Sequence, residues 1–385
     1  MTQRTLITDL FPLADLEAEV AQGYVTRKPH QTAPLAILNY GPTVQYERRW
    51  NDVTKKTRGL IYDTETLEVV SRGFDKFGNW DEAGYPYPPG GNMVMSTKFD
   101  GSLGIMYWAS DDDDYPSIAT RGSFASDQAK MGTAIFAEYM AMIYQTEGED
   151  AFNILQGDFS NPQVTYLFEI IYPENRIVVD YGQDERLVLL DVVNNATGKS
   201  DIERFESSLW PDKAEKTYVP GGFSDSLVHD IPSGEEGFVL YFPWTGFRCK
   251  MKSAEYVELH RIVTGLSKKS IWEAMGRGQT PADIKANLPD ELFEFVDQTV
   301  LELRKKQLQV LDEVTDAWFK VTDGDSVAML TRKDFALRAK KHGPVAKYLF
   351  KILDGSSEEQ LKQLIWETLK PVGDTRAFAR GEDVS

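Results

Sequence analysis

The sequence predicts an α+β protein, with a mainly antiparallel domain over residues 1–253 and an all-helical domain over 254–385. Three observations carry that prediction. Short runs rich in Val, Ile, Tyr and Phe recur through the first domain, punctuated by Gly, Pro, Asn or Asp. Few helical patterns separate those runs, whereas a doubly wound parallel sheet would alternate strand and helix. From about residue 254 the apolar positions recur at helical spacing instead.

In chain order, the strand candidates begin with "GLIYD", "LEVVSR", "NMVMSTK" and "LGIMYW". A long amphipathic helix is expected over about 125–146, "ASDQAKMGTAIFAEYMAMIYQT". Strand candidates then resume with "YLFEIIY", "RIVVDY", "RLVLLDVVN", "GFVLYF" and "GFRCKMK". Asp111–Asp114 reads as a solvated hairpin tip, since four consecutive carboxylates cannot all turn toward one ion. Helical periodicity then runs from "AEYVELHRIVTGL" through "SEEQLKQLIWETL", with Pro281 and Pro289 placed where helices start. The tail "GEDVS" reads as frayed.

Composition narrows the function classes. The chain has 385 residues, 42% of them hydrophobic and 26% charged, which is globular. It carries one cysteine, Cys249, so no internal disulfide can form, which fits a reducing cytoplasm. Four scattered histidines and one cysteine argue against a structural zinc site. No apolar run approaches the ~20 residues that span a bilayer, and the first residues lack signal-peptide character. The net charge is −18, all of it within residues 1–260. Phosphate affinity comes mainly from Lys and Arg, so nucleic acid would need a local basic patch. One candidate is 331–350, "TRKDFALRAKKHGPVAKYLF".

Several stretches place charge where chemistry could use it. "TKFDGSLG" sets Lys98 and Asp100 between two apolar runs. In "GFRCKMKS" a period of two puts Phe247, Cys249 and Met251 on one face and Arg248, Lys250 and Lys252 on the other. Three adjacent cations repel unless solvated or paired with anions; the face is either an exposed, charge-guarded edge or the bed of a polyphosphate. Glu169 is the sole charge in "TYLFEIIYP" and needs solvent, a partner or a metal. Glu236 stands next to Gly237 just before a strand. Arg58, Lys76 and Arg121 each lie beside or near glycine, with no Gly-rich phosphate loop to assist them.

Together these residues resemble a specific family. "KFDGS" fits the KxDG signature of covalent nucleotidyltransferases, and the order Arg58, Lys76, Lys98, Glu169, Glu236, Lys250, Lys252 follows theirs. The stretches "TRGLIYD", "DKFGNWDE", "TRGSF", "FEIIYPENRIVVDY", "EEGFV" and "KMKSAEYVELH" are similar to the phage-type ATP-dependent RNA ligase 1 family, over roughly residues 35–262. DNA ligases and capping enzymes usually carry Arg where this chain has Leu103, and continue into a β-barrel rather than helices. Two departures stand out: Phe77 is followed by Gly78 where the family often has a second aromatic, and Arg121 replaces a lysine, which is not an equivalent point charge.

The resemblance implies an adenylylation domain and three nucleotidyl transfers. Lys98 attacks the α-phosphate of ATP to give lysyl-AMP; AMP passes to an RNA 5′-phosphate; an RNA 3′-hydroxyl then displaces AMP. A lysine nucleophile must be neutral, and neighbouring cations favour that form. Lys250 and Lys252 would stabilise the α-phosphate. Glu169 and Glu236, with Asp283 from the helical domain, would be associated with Mg²⁺ or Mn²⁺. Asp100 would orient metal waters or the acceptor. Tyr40, Arg58, Lys76, Gly101, Arg121 and Tyr256 would bind the nucleotide or the RNA 5′-phosphate. The implied partners are single-stranded RNA ends, including broken tRNA. A monomer is expected, acting in the cytoplasm (a host's, if phage-encoded) without a membrane. Two alternatives stay open: a DNA ligase or capping-type transferase, and a non-catalytic RNA-binding protein on a ligase core.

Overall fold

The computed structural model describes residues 4–82, 85–110, 113–263, 265–286, 288, 292–322 and 330–371. Asp111, Asp112, Pro289 and the tail 381–385 lie outside the described residues. The chain divides into two compact units, Met1–His260 and Arg261–Ser385.

The first unit contains three four-stranded sheets among its described residues, and all their ladders are antiparallel. The first sheet runs β1 (Val25–Pro29), β2 (Leu35–Tyr40), β3 (Arg58–Asp63), β4 (Val69–Arg72). Helices α1 (Ile7–Leu10) and α2 (Leu13–Ala21) cover it through Ile7, Leu10 and Leu16, against Leu38 and Leu60. Short helices α3 (Pro42–Tyr46) and α4 (Asp52–Lys56) join β2 to β3. The second sheet, in the order β10 (Lys216–Val219), β5 (Met93–Lys98), β11 (Gly237–Phe242), β12 (Phe247–Lys252), buries Met93, Leu240, Phe242, Cys249 and Met251 on one face. The third sheet has the order β7 (Ser117–Thr120), β6 (Ser102–Tyr107), β8 (Val164–Ile171), β9 (Arg186–Asn194). Against it pack α5 (Asp127–Glu147) and α6 (Glu149–Phe159), with Phe136, Phe159, Phe168 and Trp210 forming an aromatic centre. A further helix, α7 (Ile202–Ser207), follows β9.

The antiparallel α+β reading holds, and α5 falls where periodicity placed it. One strand expectation is corrected. "RIVVDY", 176–181, forms no strand, because the backbone N–H groups of Val178 and Val179 donate to the Asp100 carboxylate rather than to a ladder. Strands β1, β2, β7 and β10 were not anticipated. In β2, Leu35–Leu38 are all buried, so alternation is missing; β7 and β10 have four residues each.

Helix α8 (Ala254–Val263) spans the division between the units. The second unit is helical throughout its described residues: α9 (Lys268–Gly276), α10 (Pro281–Lys285), α11 (Phe293–Thr322), α12 (Arg332–Ala339), α13 (Ala346–Leu353) and α14 (Glu358–Thr368). Val314, Ala317 and Val321 of α11 meet Phe335, Tyr348, Leu349 and Ile365 in its core. Pro281 occupies the first turn of α10, where its missing N–H costs nothing. No described helix is long and apolar enough to cross a membrane.

Candidate active site

The site forms where the chain passes from the second sheet to the third. Lys98 ends β5, Phe99-Asp100-Gly101 make the corner, and Ser102 begins β6. Across the second sheet, Gly237 pairs with Lys98 on one side and with Lys252 on the other. Directly paired residues share a face, so the two lysines flank a position that has no side chain. Gly237 has φ +151°, and a Cβ there would sit 2.0 Å from the Met251 carbonyl oxygen, so no other residue fits. The residue before it, Glu236, fills the gap. One carboxylate oxygen lies 2.7 Å from Lys98 Nζ and the other 2.8 Å from Lys252 Nζ. Burial would raise the Glu236 pKa, but Lys252 and Lys98 outweigh burial and hold it below the usual carboxylate range.

The alternation expected in β12 is present, but its three cations part company. Lys250 stays on the face of Lys252, two pairs along at Val239. Arg248 is withdrawn into a buried network, 3.2 Å from Asp191 and donating to the Gly198 carbonyl and the Ser200 hydroxyl. Lys216 reaches the same aspartate at 2.8 Å. Arg248 therefore holds the sheets together instead of facing a phosphate. Segment 78–80 extends the β12 edge, since Lys250 N–H donates to Gly78 and Trp80 N–H to Lys250.

Glu169 comes from the third sheet, opposite Leu103 on β6. It does not face solvent: it is 8% exposed and accepts from the Gly101 N–H at 3.0 Å. Burial pushes its pKa up to about 8; Lys98 pulls down against this, while Glu236 and Asp100 push further up. Gly101 fits here for lack of a side chain, since a Cβ would meet the Ile170 carbonyl oxygen at 2.6 Å.

Asp100 is fastened at the corner through its carboxylate and its own N–H. One carboxylate oxygen accepts from the Val178 and Val179 N–H groups, both at 2.8 Å, and the other from the Tyr256 hydroxyl at 2.7 Å. Its own N–H donates to the Tyr181 hydroxyl at 3.0 Å. With both oxygens engaged, Asp100 fastens loop 176–181 and Tyr256 to the corner beside Lys98. The Tyr256 ring also lies 4.9 Å from Lys252 Nζ.

The remaining cations form a second group on the first sheet and its neighbours. Arg121 donates to the Tyr40 hydroxyl at 3.2 Å, the Tyr40 ring meets Trp50 edge-on at 5.0 Å, and Lys76 Nζ lies 5.3 Å from the Trp50 ring. Arg58 lies 6.0 Å from the Phe77 ring, its Nη1 sealed from solvent without a hydrogen-bond partner. Arg58 also feels the charges of Arg121 and Glu169, which links this group to the first.

Asp283 is a capping residue. It lies in the second unit, where its carboxylate accepts from both the N–H and the hydroxyl of Thr280 at 2.7 Å, closing a capping box on α10. Those bonds hold its pKa below the usual range. Sequence reasoning missed Trp50 and Tyr181. Trp50 stands in "YERRW", where nothing in the sequence singles it out, and Tyr181 was read as the end of a strand.

No cluster of three or more His, Cys, Asp or Glu able to hold a metal occurs among the described residues. Mg²⁺ keeps several waters and usually takes one or two carboxylates plus substrate phosphates. Glu169 and Glu236 suit that requirement: the Glu236 charge adds to the cost of ionising buried Glu169, which a divalent cation would relieve.

Comparison with known proteins bears on this geometry. The RNA ligase family model matches residues 56–218. A protein of Autographa californica nuclear polyhedrosis virus, described as a bifunctional polynucleotide kinase/RNA ligase, is 30% identical over 247 residues, 59% of this chain and 33% of its own. A protein of Thermovibrio ammonificans described as an RNA ligase is 27% identical over 158 residues, 40% of this chain and 38% of its own. The chain thus spans 33% and 38% of the length of these curated relatives. Among solved structures, an archaeal ATP-dependent RNA ligase aligns over 90% of this chain and 80% of its own, with 12% identity and a TM-score of 0.43. The family match encloses Arg58, Lys76, Lys98, Arg121 and Glu169, and the fold adds Glu236, Lys250 and Lys252 from outside it. Residues 56–218 of this chain thus match the RNA ligase family model, and both curated relatives are described as RNA ligases.

Proposed function

We propose that the protein joins an RNA 5′-phosphate to an RNA 3′-hydroxyl at the expense of ATP, through lysyl-AMP and RNA-adenylate. The observation that carries this reading is the alignment of Lys98, Glu236 and Lys252 across three strands, with Glu169 facing them from the next sheet. Lys98 Nζ, aimed by Glu236, gives up its extra proton to water and bonds to the α-phosphorus of ATP as the bond to pyrophosphate breaks. The RNA 5′-phosphate oxygen next takes the adenylyl group from Nζ. The RNA 3′-hydroxyl then attacks that 5′-phosphorus, losing its proton as AMP leaves. Lys250 and Lys252 offset charge gathering on the transferred phosphate. Arg58, Lys76 and Arg121 grip the triphosphate or the 5′-phosphate. Glu169 and Glu236 would hold Mg²⁺ or Mn²⁺, which supplies further neutralisation of the phosphates when bound. Asp100 serves by fixing the corner.

Intact-mass measurement after incubation with ATP and Mg²⁺ tests the first step. The expected result is one AMP adduct on the wild-type chain and none on Lys98→Ala; a wild-type chain without an adduct overturns the reading. A 5′-phosphorylated single-stranded RNA should then be circularised or dimerised, and nicked DNA or GTP should serve poorly.

The second unit is proposed to help select the RNA, broken tRNA included. The 331–350 patch is only partly available for that task. Arg338 donates to the Val321 carbonyl at 3.0 Å and Arg332 pairs with Asp354 at 2.8 Å, whereas Lys340, Lys341 and Lys347 are exposed. Lys340→Glu with Lys341→Glu should weaken RNA joining roughly tenfold near physiological salt and leave the AMP adduct unchanged. Equal loss of both activities would remove the patch from RNA binding.

A further inference from the structure

We infer that the cleft beside Asp100 receives the phosphate-free 3′-terminal nucleoside of the acceptor strand, an inference that rests on the ligase reading above. The cleft holds about 300 Å³ and is lined by Asp100, Tyr172, Asn175, Arg176, Tyr181 and Gln183, among others. That volume falls at the small end of ligand sites, roughly 300–1,000 Å³. Its place is set by chemistry already on the page. Asp100 stands two residues from Lys98, at most about 7 Å along the chain, which sets the cleft beside the strand end that carries Lys98. Asp100 itself builds one wall by pinning Val178 and Val179, and Tyr181 closes back onto the Asp100 N–H. Asn175 forms the floor, its oxygen accepting from the Ser102 hydroxyl and its amide donating to the Ile170 carbonyl.

Charge tells the two RNA ends apart. The cleft lining carries three carboxylates, Asp100, Asp180 and Asp184, against one guanidinium, Arg176, with a second, Arg186, 3.6 Å from Asp184, so the balance stays negative. Arg176 is itself paired with Asp180 at 2.6 Å. A phosphate entering there meets net negative charge, and like charges brought together cost affinity. The cations Arg58, Lys76 and Arg121 belong to the other group, which suits the phosphorylated end. What the cleft offers is an aromatic ring for a base, with carboxamide and carboxylate acceptors for hydroxyls. An end that presents hydroxyls alone is the acceptor end of the joining reaction.

The test compares two short single-stranded RNAs, identical except for a 3′-hydroxyl or a 3′-phosphate, by fluorescence anisotropy without ATP. The wild-type protein should bind the 3′-hydroxyl form at least roughly tenfold more tightly. Asp180→Asn with Asp184→Asn should abolish that preference; their exposed ion pairs contribute little to stability. Gln183→Trp, which fills the cleft from an exposed position, should raise the KM for acceptor when pre-adenylylated donor RNA is supplied. It should leave the AMP adduct on Lys98 unchanged. Equal wild-type affinity for both RNAs, or an unchanged acceptor KM in Gln183→Trp, overturns the inference. Failure of the wild-type chain to form the adduct would sink the ligase reading instead, and the anisotropy comparison decides the cleft independently of it.

Discussion

Replacing Glu236 with alanine is expected to destabilise the first unit by about 3–5 kcal/mol, the cost of removing one partner from a buried ion pair. Glu236 is 2% exposed and Lys252 8%, so truncation takes the carboxylate from an ammonium buried with it. Lys98, at 23% exposure, can turn toward solvent and contributes less of the loss. Urea unfolding of Glu236→Ala measures the cost, and the same truncation combined with Lys252→Met measures its origin. If the stranded charge is the cause, the double variant recovers a large part of the loss. A cost below about 1 kcal/mol would instead place the trio among ordinary surface ion pairs. The AMP adduct should vanish in Glu236→Ala at temperatures where the protein remains folded, because Lys98 then has lost the group that aims it.

Glu169→Gln should make the protein more heat-resistant above neutral pH while slowing or abolishing the adduct. The Glu169 pKa in the folded chain is about 8, against an ordinary value of 4.5. Between those values the folded state holds a proton that the unfolded state has released. Stability is therefore full below the ordinary value, falls as pH rises through the window, and is lowest above about pH 8. Each unit of that shift corresponds to roughly 1.4 kcal/mol, so the contribution is of the order of a few kcal/mol. Glutamine keeps the shape and removes the titration. The Tm difference between variant and wild type should be small near pH 5 and grow to several degrees by pH 9; a difference that does not change with pH refutes the assignment. Glu236 works with the opposite sign. Its pKa is held below the ordinary range, so its contribution is present above that range and lost as pH falls through the lowered value. One carboxylate thus limits the unit in base and the other in acid. Their opposed environments are what a site needs when it must hold an amine and also welcome a metal and phosphates.

The strands that carry chemistry were legible because their patterns are local. Alternation in "GFRCKMK" separated Cys249 and Met251 from Lys250 and Lys252, and the lone carboxylate in "YLFEIIY" announced itself against an apolar background. Loop 176–181 was misread for the same reason: "RIVVDY" has strand composition, and only a carboxylate from residue 100 diverts its amides. The same alternation grouped Arg248 with the site, although Asp191, 57 residues away in the chain, takes it out.

By itself, the sequence determined the antiparallel α+β character of the first unit, the helices of the second, and which residues bear mobile protons and charge. It also determined that Gly237 follows Glu236, though not why that matters. Tertiary structure alone decided that Lys98 and Lys252 share that carboxylate, that Glu169 is sealed from water, and that Asp100 serves as a fastener. The physical reason is distance: strand periodicity is written in neighbouring residues, whereas a pKa, an ion pair and a sealed oxygen depend on groups that meet only once the second and third sheets have formed around one corner.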